Sequence, residues 1–269
     1  MAVRIEHKDH VTTVIIDRID ARNAVDEPTA EALMQAFMGF EADPDARAAV
    51  LWGAGGTFCA GYDLTYASTL ADPDTFRREF TDKLPFPTGE TPVRGPMGPS
   101  RLLLSKPVIA AVEGASVAGG MELALWCDLR VMADDAFFGV YCRRWGIPLI
   151  DGGTVRLPRL VGLGRAMDLI LTGRKVTAEE SLRIGLCDRV VARGKARAAA
   201  EDLARGIARF PQAALKADRR SAYESLGLDL RDAMIREWTG GVESFVTEGA
   251  AGAGRFAGGR GRSGDFANI

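Results

Sequence analysis

Short apolar runs separated by glycine-rich turns recur along this chain, and the stretch 106–128, KPVIAAVEGASVAGGMELALWCD, is apolar almost throughout. Residues 107–112 form a compact, partly β-branched run that predicts a buried strand. A turn carrying Gly114, Gly119 and Gly120 follows, and 121–127 predicts a helix with Glu122 as its one polar side chain. A helix without a polar face packs inside, so Glu122 is expected in mostly apolar surroundings. Burial raises a carboxyl's proton affinity, a cost that cores avoid and active sites exploit. Glu122 therefore has two readings: an acid satisfied by backbone or across a subunit contact, or an acid/base residue. The glycines favour the second. They allow N–H groups at a helix start to approach a ligand closely, where developing negative charge is best stabilised.

The rest of the pattern reads as alternating strands and helices. Residues 3–6 and 11–17 alternate as strands around a turn at 8–10, and Asp26 can cap a helix from Glu27-Pro28 to about Phe40. A short strand at 48–52 runs into the loop GAGGTFCAGYDL at 53–64. As a dinucleotide fingerprint this loop fails, because the third glycine of GxGxxG falls on Phe58. It does resemble the later element: strand, glycine loop, then Cys59-Ala60-Gly61 against Val117-Ala118-Gly119. Two such turns could each offer an N–H to one ligand atom, or could be tight turns of a repetitive fold.

Residues 74–80 could be helical, whereas 85–99 holds five prolines and three glycines and predicts irregular structure. A loop this long in a compact domain shapes a site or is a disordered insert; we take it as the segment that shapes the substrate tail. Strands are predicted at 128–132 and 136–140, then a turn at Asp151-Gly152-Gly153-Thr154, where Asp151 reads as a helix cap as readily as a functional acid. Thr177 to Glu180 is a capping box for a helix closing at Gly185, and 187–191 predicts a strand. From about residue 195 the chain reads as helices at 196–209, 212–223 and 230–246, followed by a Gly/Arg-rich solvated tail at 249–264. This divides the chain into a core domain, 1–194, and a C-terminal helical cap or oligomerisation region, 195–269.

Composition narrows the class. The 269 residues are 47% apolar, with a formal net charge of −2, so nothing draws the chain to nucleic acid or anionic lipid. No apolar run approaches the roughly 20 residues of a membrane span, and the first residues lack a signal-peptide pattern. Four scattered cysteines show no metal or disulfide spacing, which suits a reduced, cytoplasmic enzyme. Both histidines, His7 and His10, lie at the extreme N-terminus. Zinc sites and Ser–His or Cys–His schemes are therefore unexpected, and no metal is expected.

Taken together, RIDARNAVD, GTFCAGYDL, KPVIAAVEGASVAGGMELALWCDLRV and GGTVRLPRLVGLGRAMDLILTGRKVTAEESLRIGLCDRVV resemble the enoyl-CoA hydratase/isomerase (crotonase) superfamily, over roughly 18–191. The resemblance implies an α/β fold, a superhelix of repeated strand–strand–helix turns with a C-terminal helical region, assembled as trimers or dimers of trimers. It implies an acyl-CoA thioester substrate, with coenzyme A as part of the substrate and no bound cofactor. The shared intermediate is a thioester enolate, whose oxyanion is held by two backbone N–H groups. These match Tyr62, after Ala60-Gly61, and Gly119. Tyr62, Asp63, Leu64 and Thr65 match the stretch that contacts CoA, and Arg22 stands where a basic residue often lies near the CoA phosphates.

Hydratases of the family use two glutamates. Glu122 matches the first, but Cys142 stands at the place of the second, after Phe138-Gly139. A neutral thiol is a poor general acid beside a carboxylate. Asp151 offers a replacement, since other branches place a catalytic aspartate in or next to this turn. Three functions follow in order: an enoyl-CoA hydratase; an isomerase or acyl-CoA hydrolase run by Glu122 and Asp151, with Cys142 only shaping the pocket; and a non-catalytic or RNA-binding member.

Overall fold

The computed structural model describes residues 2–70, 72–86, 93–266 and 269. The chain opens with a hairpin, β1 (Val3–Lys8) and β2 (Val11–Ile16), closed by Asp9 and His10, both at positive φ. That two-residue geometry matches the twist of the flanking strands. Helix α1 (Glu27–Ala42) begins where Asp26 accepts the Thr29 N–H, and its apolar face is buried through Leu33, Phe37 and Phe40. It leads to β3 (Ala48–Gly53) and, beyond the glycine loop, to α2 (Leu64–Ser68) and α3 (Pro73–Arg77).

Next come β4 (Val108–Val112), β5 (Ala115–Val117), α4 (Gly119–Trp126), β6 (Leu129–Ala133), β7 (Phe137–Gly139), α5 (Gly153–Val161) and α6 (Leu163–Thr172). The remaining elements are β8 (Val176–Thr177), α7 (Ala178–Arg183), β9 (Arg189–Val191), α8 (Ala196–Ala208), α9 (Gln212–Glu224), α10 (Leu230–Ser244) and α11 (Ala250–Ala257).

Two sheets result: a six-stranded one in the order β1-β2-β3-β4-β6-β9 and a three-stranded one, β5-β7-β8. From β2 onward the larger sheet is parallel. Its central strands are covered on both faces, which is why β2 and β4 are buried at every position, whereas the edge strand β1 is largely exposed. The chain climbs as a spiral, each turn laying one strand in the large sheet, one in the small sheet, then a helix. β4, β5 and α4 make one turn; β6, β7 and α5 make the next. An earlier turn uses β3, then Cys59 bridged to Ser116 of β5 in place of a full strand, then α2. The likeness between the two glycine turns thus reflects successive turns of one superhelix, as expected for the α/β class.

The boundaries depart from expectation in a few places. The strand β5 was not foreseen, its three residues being too few to show periodicity. Asp151 does not cap α5: the N-cap is Gly152, at φ +97, without a side-chain cap, and the Asp151 carboxylate is engaged elsewhere. In the expected capping box, Thr177 accepts the Glu180 N–H, but the Glu180 carboxylate turns to Arg174 instead of reaching back. The segment expected as a solvated tail forms α11, because α10 runs without a break through the wide turn Phe245–Gly249 into an alanine-rich stretch. Helix α8 lies on the large sheet through Ala196, Ala200, Ala204 and Ala208, all buried. Its N-terminus is held by Glu113, which accepts the N–H groups of Gly194 (3.0 Å) and Ala196 (2.9 Å).

Candidate active site

The site begins where the two glycine turns meet. Gly61, at φ +97, lies against the start of α4: a Cβ built on it would stand 3.0 Å from Ala118 Cβ and 3.1 Å from Gly119 N. A Cβ on Gly120 would stand 2.1 Å from the Cys59 carbonyl oxygen. Only glycines permit this approach. Ala118 adopts φ +51 and ψ −125, a strained conformation for a residue with a side chain, and its N–H is anchored on Gly139 O at 2.8 Å. Beyond it, the first N–H groups of α4 have no helical acceptor. Among the described residues neither the Tyr62 N–H nor the Gly119 N–H meets an acceptor.

The Tyr62 turn is held from outside by the 18–26 motif. Asn23 is fully buried; its amide donates to Ala54 O (2.8 Å) and Thr57 O (2.6 Å), and its oxygen accepts the Arg18 N–H. Val25 N–H donates to Gly61 O, and Asp63 N–H returns to Val25 O, bracketing Tyr62 between two backbone hydrogen bonds. The Asp63 side chain caps α2 through the Thr65 and Tyr66 N–H groups, and Arg18 bridges it to Asp26 at 3.0 and 2.8 Å. Burial raises the Asp63 carboxyl, but those N–H groups and Arg18 outweigh it and hold it below its ordinary value. Arg22, Leu64 and Thr65 are exposed, Ala60 is half-buried with its N–H on Arg22 O, and the Tyr62 ring meets Phe80 edge-on at 5.5 Å.

Glu122, in the first turn of α4, is 3% exposed. Its Oε1 accepts two N–H groups from the turn before α5, Asp151 at 2.9 Å and Gly153 at 2.7 Å. A Cβ on Gly153 would come 2.9 Å from that oxygen, so any side chain there would press on the Glu122 carboxylate. Burial, then the neighbouring Asp151 charge, push the Glu122 carboxyl up to about 8, against the pull of the two N–H groups and Arg156.

Asp151 is 4% exposed and faces the proline-rich loop. Its Oδ1 accepts the Met97 N–H at 3.1 Å and the Ser100 hydroxyl. Burial raises this carboxyl, and Ser100, Met97, Arg101 and Arg156 pull in the opposite sense without cancelling it. The two acids are thus built alike: each has one oxygen fixed by two donors, and among the described residues no hydrogen bond reaches Glu122 Oε2 or Asp151 Oδ2. Cys142 lies buried in the short turn Tyr141–Trp145 after β7. Burial and the Glu122 charge push its thiol up, so it remains neutral.

The described part of the loop, from Val93 on, is irregular as expected, though it holds to the site rather than hanging from it. Met97 is buried and its thioether covers Gly119, where a Cβ would stand 2.6 Å from the sulfur. Residues 87–92, the centre of the proline-rich stretch, lie outside the described residues. A separate hollow of about 430 Å³ between Trp52, Gly114 and the start of α8 does not border either acid.

The fold agrees with comparisons to known proteins. Residues 6–86 and 101–239 match the enoyl-CoA hydratase/isomerase family. The chain is 34% identical over 253 residues to enoyl-CoA hydratase EchA19 of Mycobacterium tuberculosis, covering 91% of this chain and 89% of the relative. It is 36% identical over 241 residues to carnitinyl-CoA dehydratase of Salmonella arizonae, covering 88% and 84%. The crystal structure of enoyl-CoA hydratase EchA1 from Mycobacterium marinum superposes with a TM-score of 0.84, at 32% identity and 96% coverage of both chains. The chain belongs to the enoyl-CoA hydratase/isomerase family, and its fold is the crotonase fold.

Of the residues singled out from sequence, Ala60, Tyr62, Gly119, Glu122, Cys142 and Asp151 gather around the start of α4, with Asp63 and Thr65 at the adjoining α2 terminus. Arg22 sits one hydrogen bond away, on the outside of the turn. Sequence reasoning missed Ser100, Met97, Gly153, Arg156, Asn23 and Arg18. Asn23 and Arg18 lie inside a recognised motif and could have been read as its anchors. Ser100 and Met97 lie in a loop whose sequence carries no periodicity.

Proposed function

We propose that this protein is an acyl-CoA hydratase-type lyase, adding water to a trans-2-enoyl-CoA or removing it in reverse, with Glu122 and Asp151 as the acid/base pair. The observation that carries this reading is the matched pair of buried carboxylates, each with one oxygen fixed and, among the described residues, one without a hydrogen bond, beside two N–H groups that meet no acceptor there. The names of the relatives, a hydratase and a dehydratase, support the same reaction in its two directions.

The thioester oxygen takes the Tyr62 and Gly119 N–H groups, which stabilise the enolate by roughly 3 kcal/mol each. The positive end of α4 adds to the second. Water attacks the β-carbon and gives its proton to Asp151, while Glu122, held protonated near neutral pH by its surroundings, donates to the α-carbon. Proton transfer from Asp151 back to Glu122 resets the pair. Cys142 shapes the pocket beside Glu122. Arg22 and residues 62–65 meet the CoA moiety, which is the substrate's own; no further cofactor is invoked.

Hydration of crotonyl-CoA, followed by loss of the conjugated-enoyl absorbance, tests this reading. Turnover should fall at least about 100-fold in both Glu122→Gln and Asp151→Asn. Absence of hydration in the wild type, with activity appearing in Cys142→Glu, would transfer the pair to isomerisation or hydrolysis.

The C-terminal helices fit a trimer or a dimer of trimers. On α10, Leu230, Met234 and Trp238 recur at four-residue spacing and are 77%, 62% and 69% exposed, a stripe suited to contact between copies. No helix among the described residues is long and apolar enough to cross a membrane.

A further inference from the structure

Ser100 is 2% exposed, and its hydroxyl hydrogen is committed to Asp151 Oδ1. The surrounding loop is built around that contact. A Cβ on Gly95 would stand 2.0 Å from Ser100 Oγ and 2.6 Å from Asp151 Oδ1, so the chain passes where no side chain fits. Gly95 and Gly98 exchange backbone hydrogen bonds, 2.8 and 2.9 Å, which close the loop on itself. Arg156 fastens the two backbones from below, donating to Asp151 O at 2.9 Å and Ser100 O at 2.8 Å. The juxtaposition therefore does not depend on the hydroxyl, yet the hydroxyl occupies one lone-pair site of one particular oxygen.

Resting on the acid/base reading above, we infer that Ser100 is the positioning residue of Asp151, selecting Oδ2 as the oxygen that exchanges protons and setting the proton affinity of the pair. The fixed oxygen cannot turn toward the substrate while Ser100 O–H and Met97 N–H hold it, so the proton is exchanged at Oδ2. A hydrogen bond donated to a carboxylate favours its ionised form. Removing it raises the Asp151 proton affinity further and so changes how the proton is shared between the two acids. The charged and titratable groups facing Asp151 are Glu122 from α4, Arg101 from the loop and Arg156 from α5; Tyr223 of α9 and Cys127 interact with Arg156, and Cys142 with Glu122. All are retained when Ser100 alone is changed.

The test is a carboxyl carbon-13 NMR titration of the full chain labelled at aspartate, with the Asp151 signal assigned by its loss in Asp151→Asn. In Ser100→Ala the Asp151 midpoint should move up by roughly 0.7 of a pH unit. The acid limb of kcat for crotonyl-CoA should follow it, with KM changed less than twofold. Ser100→Cys, a weaker donor of nearly the same volume, carries the same test if the alanine variant does not fold. A midpoint unmoved in the folded variant overturns the inference. Unchanged hydration in Asp151→Asn would sink the acid/base reading itself, and with it the functional meaning of the anchor, whatever the titration shows.

Discussion

Glu122 should make the stability of this protein fall with rising pH, and Glu122→Gln should remove that fall. The carboxyl's ordinary value is 4.5, and the folded chain pushes it up to about 8. The sign follows from linkage: a group whose folded value is raised contributes stability that is complete below the unfolded value and lost as pH rises through the folded one. Between those values each pH unit is worth about 1.4 kcal/mol, so moving from about pH 6 to pH 8 removes about 2 kcal/mol from the wild type. Glutamine keeps the oxygen that accepts the Asp151 and Gly153 N–H groups and carries no charge at any pH. Urea unfolding of both proteins at matched chain concentration, at the two pH values, yields the difference directly. The advantage of Glu122→Gln should grow by about 2 kcal/mol at the higher pH. An advantage that is the same at both pH values would refute the claim that burial and Asp151 perturb this acid.

Two further outcomes follow from packing. Gly120→Ala forces a Cβ onto the Cys59 carbonyl at 2.1 Å, backbone that cannot rotate away, and should destabilise the fold by about 2–4 kcal/mol in thermal unfolding; a variant as stable as the wild type would mean the two turns are less tightly joined than described. Trp238→Asp places a charge on the exposed α10 stripe and should reduce the mass measured by light scattering to that of a smaller assembly, while an unchanged mass would exclude that stripe from the contact.

Much of the scaffold was legible in one dimension because each element states its own burial. The runs at β3 and β4 are apolar at nearly every position, as strands covered on both faces must be. Helix α4 lacks a polar face, and that alone marked Glu122 as a buried acid. The glycines at 61, 119 and 120 announced a close approach, since little else requires three unsubstituted positions beside a helix start. Cys142 in place of a second glutamate was equally plain from the motif. Short elements and side-chain destinations were not. β5 is too brief for periodicity, and Thr177 to Glu180 looked like a reciprocal cap until Arg174 claimed the carboxylate.

The sequence by itself therefore determined the family, the superhelical scaffold and the identity of the buried acid, because local pattern and spacing encode which positions turn inward. The partnership of that acid was decided only in three dimensions. Asp151 stands 29 residues from Glu122, and its backbone N–H, not its side chain, grips the glutamate. Its carboxylate, readable in sequence as a helix cap or a functional acid, turns away from that helix toward Ser100, 51 residues earlier in a loop without pattern. Which of several nearby donors a carboxylate accepts depends on the packing of a spiral turn, a loop and the Arg156 guanidinium together, and no one of these segments carries that information alone.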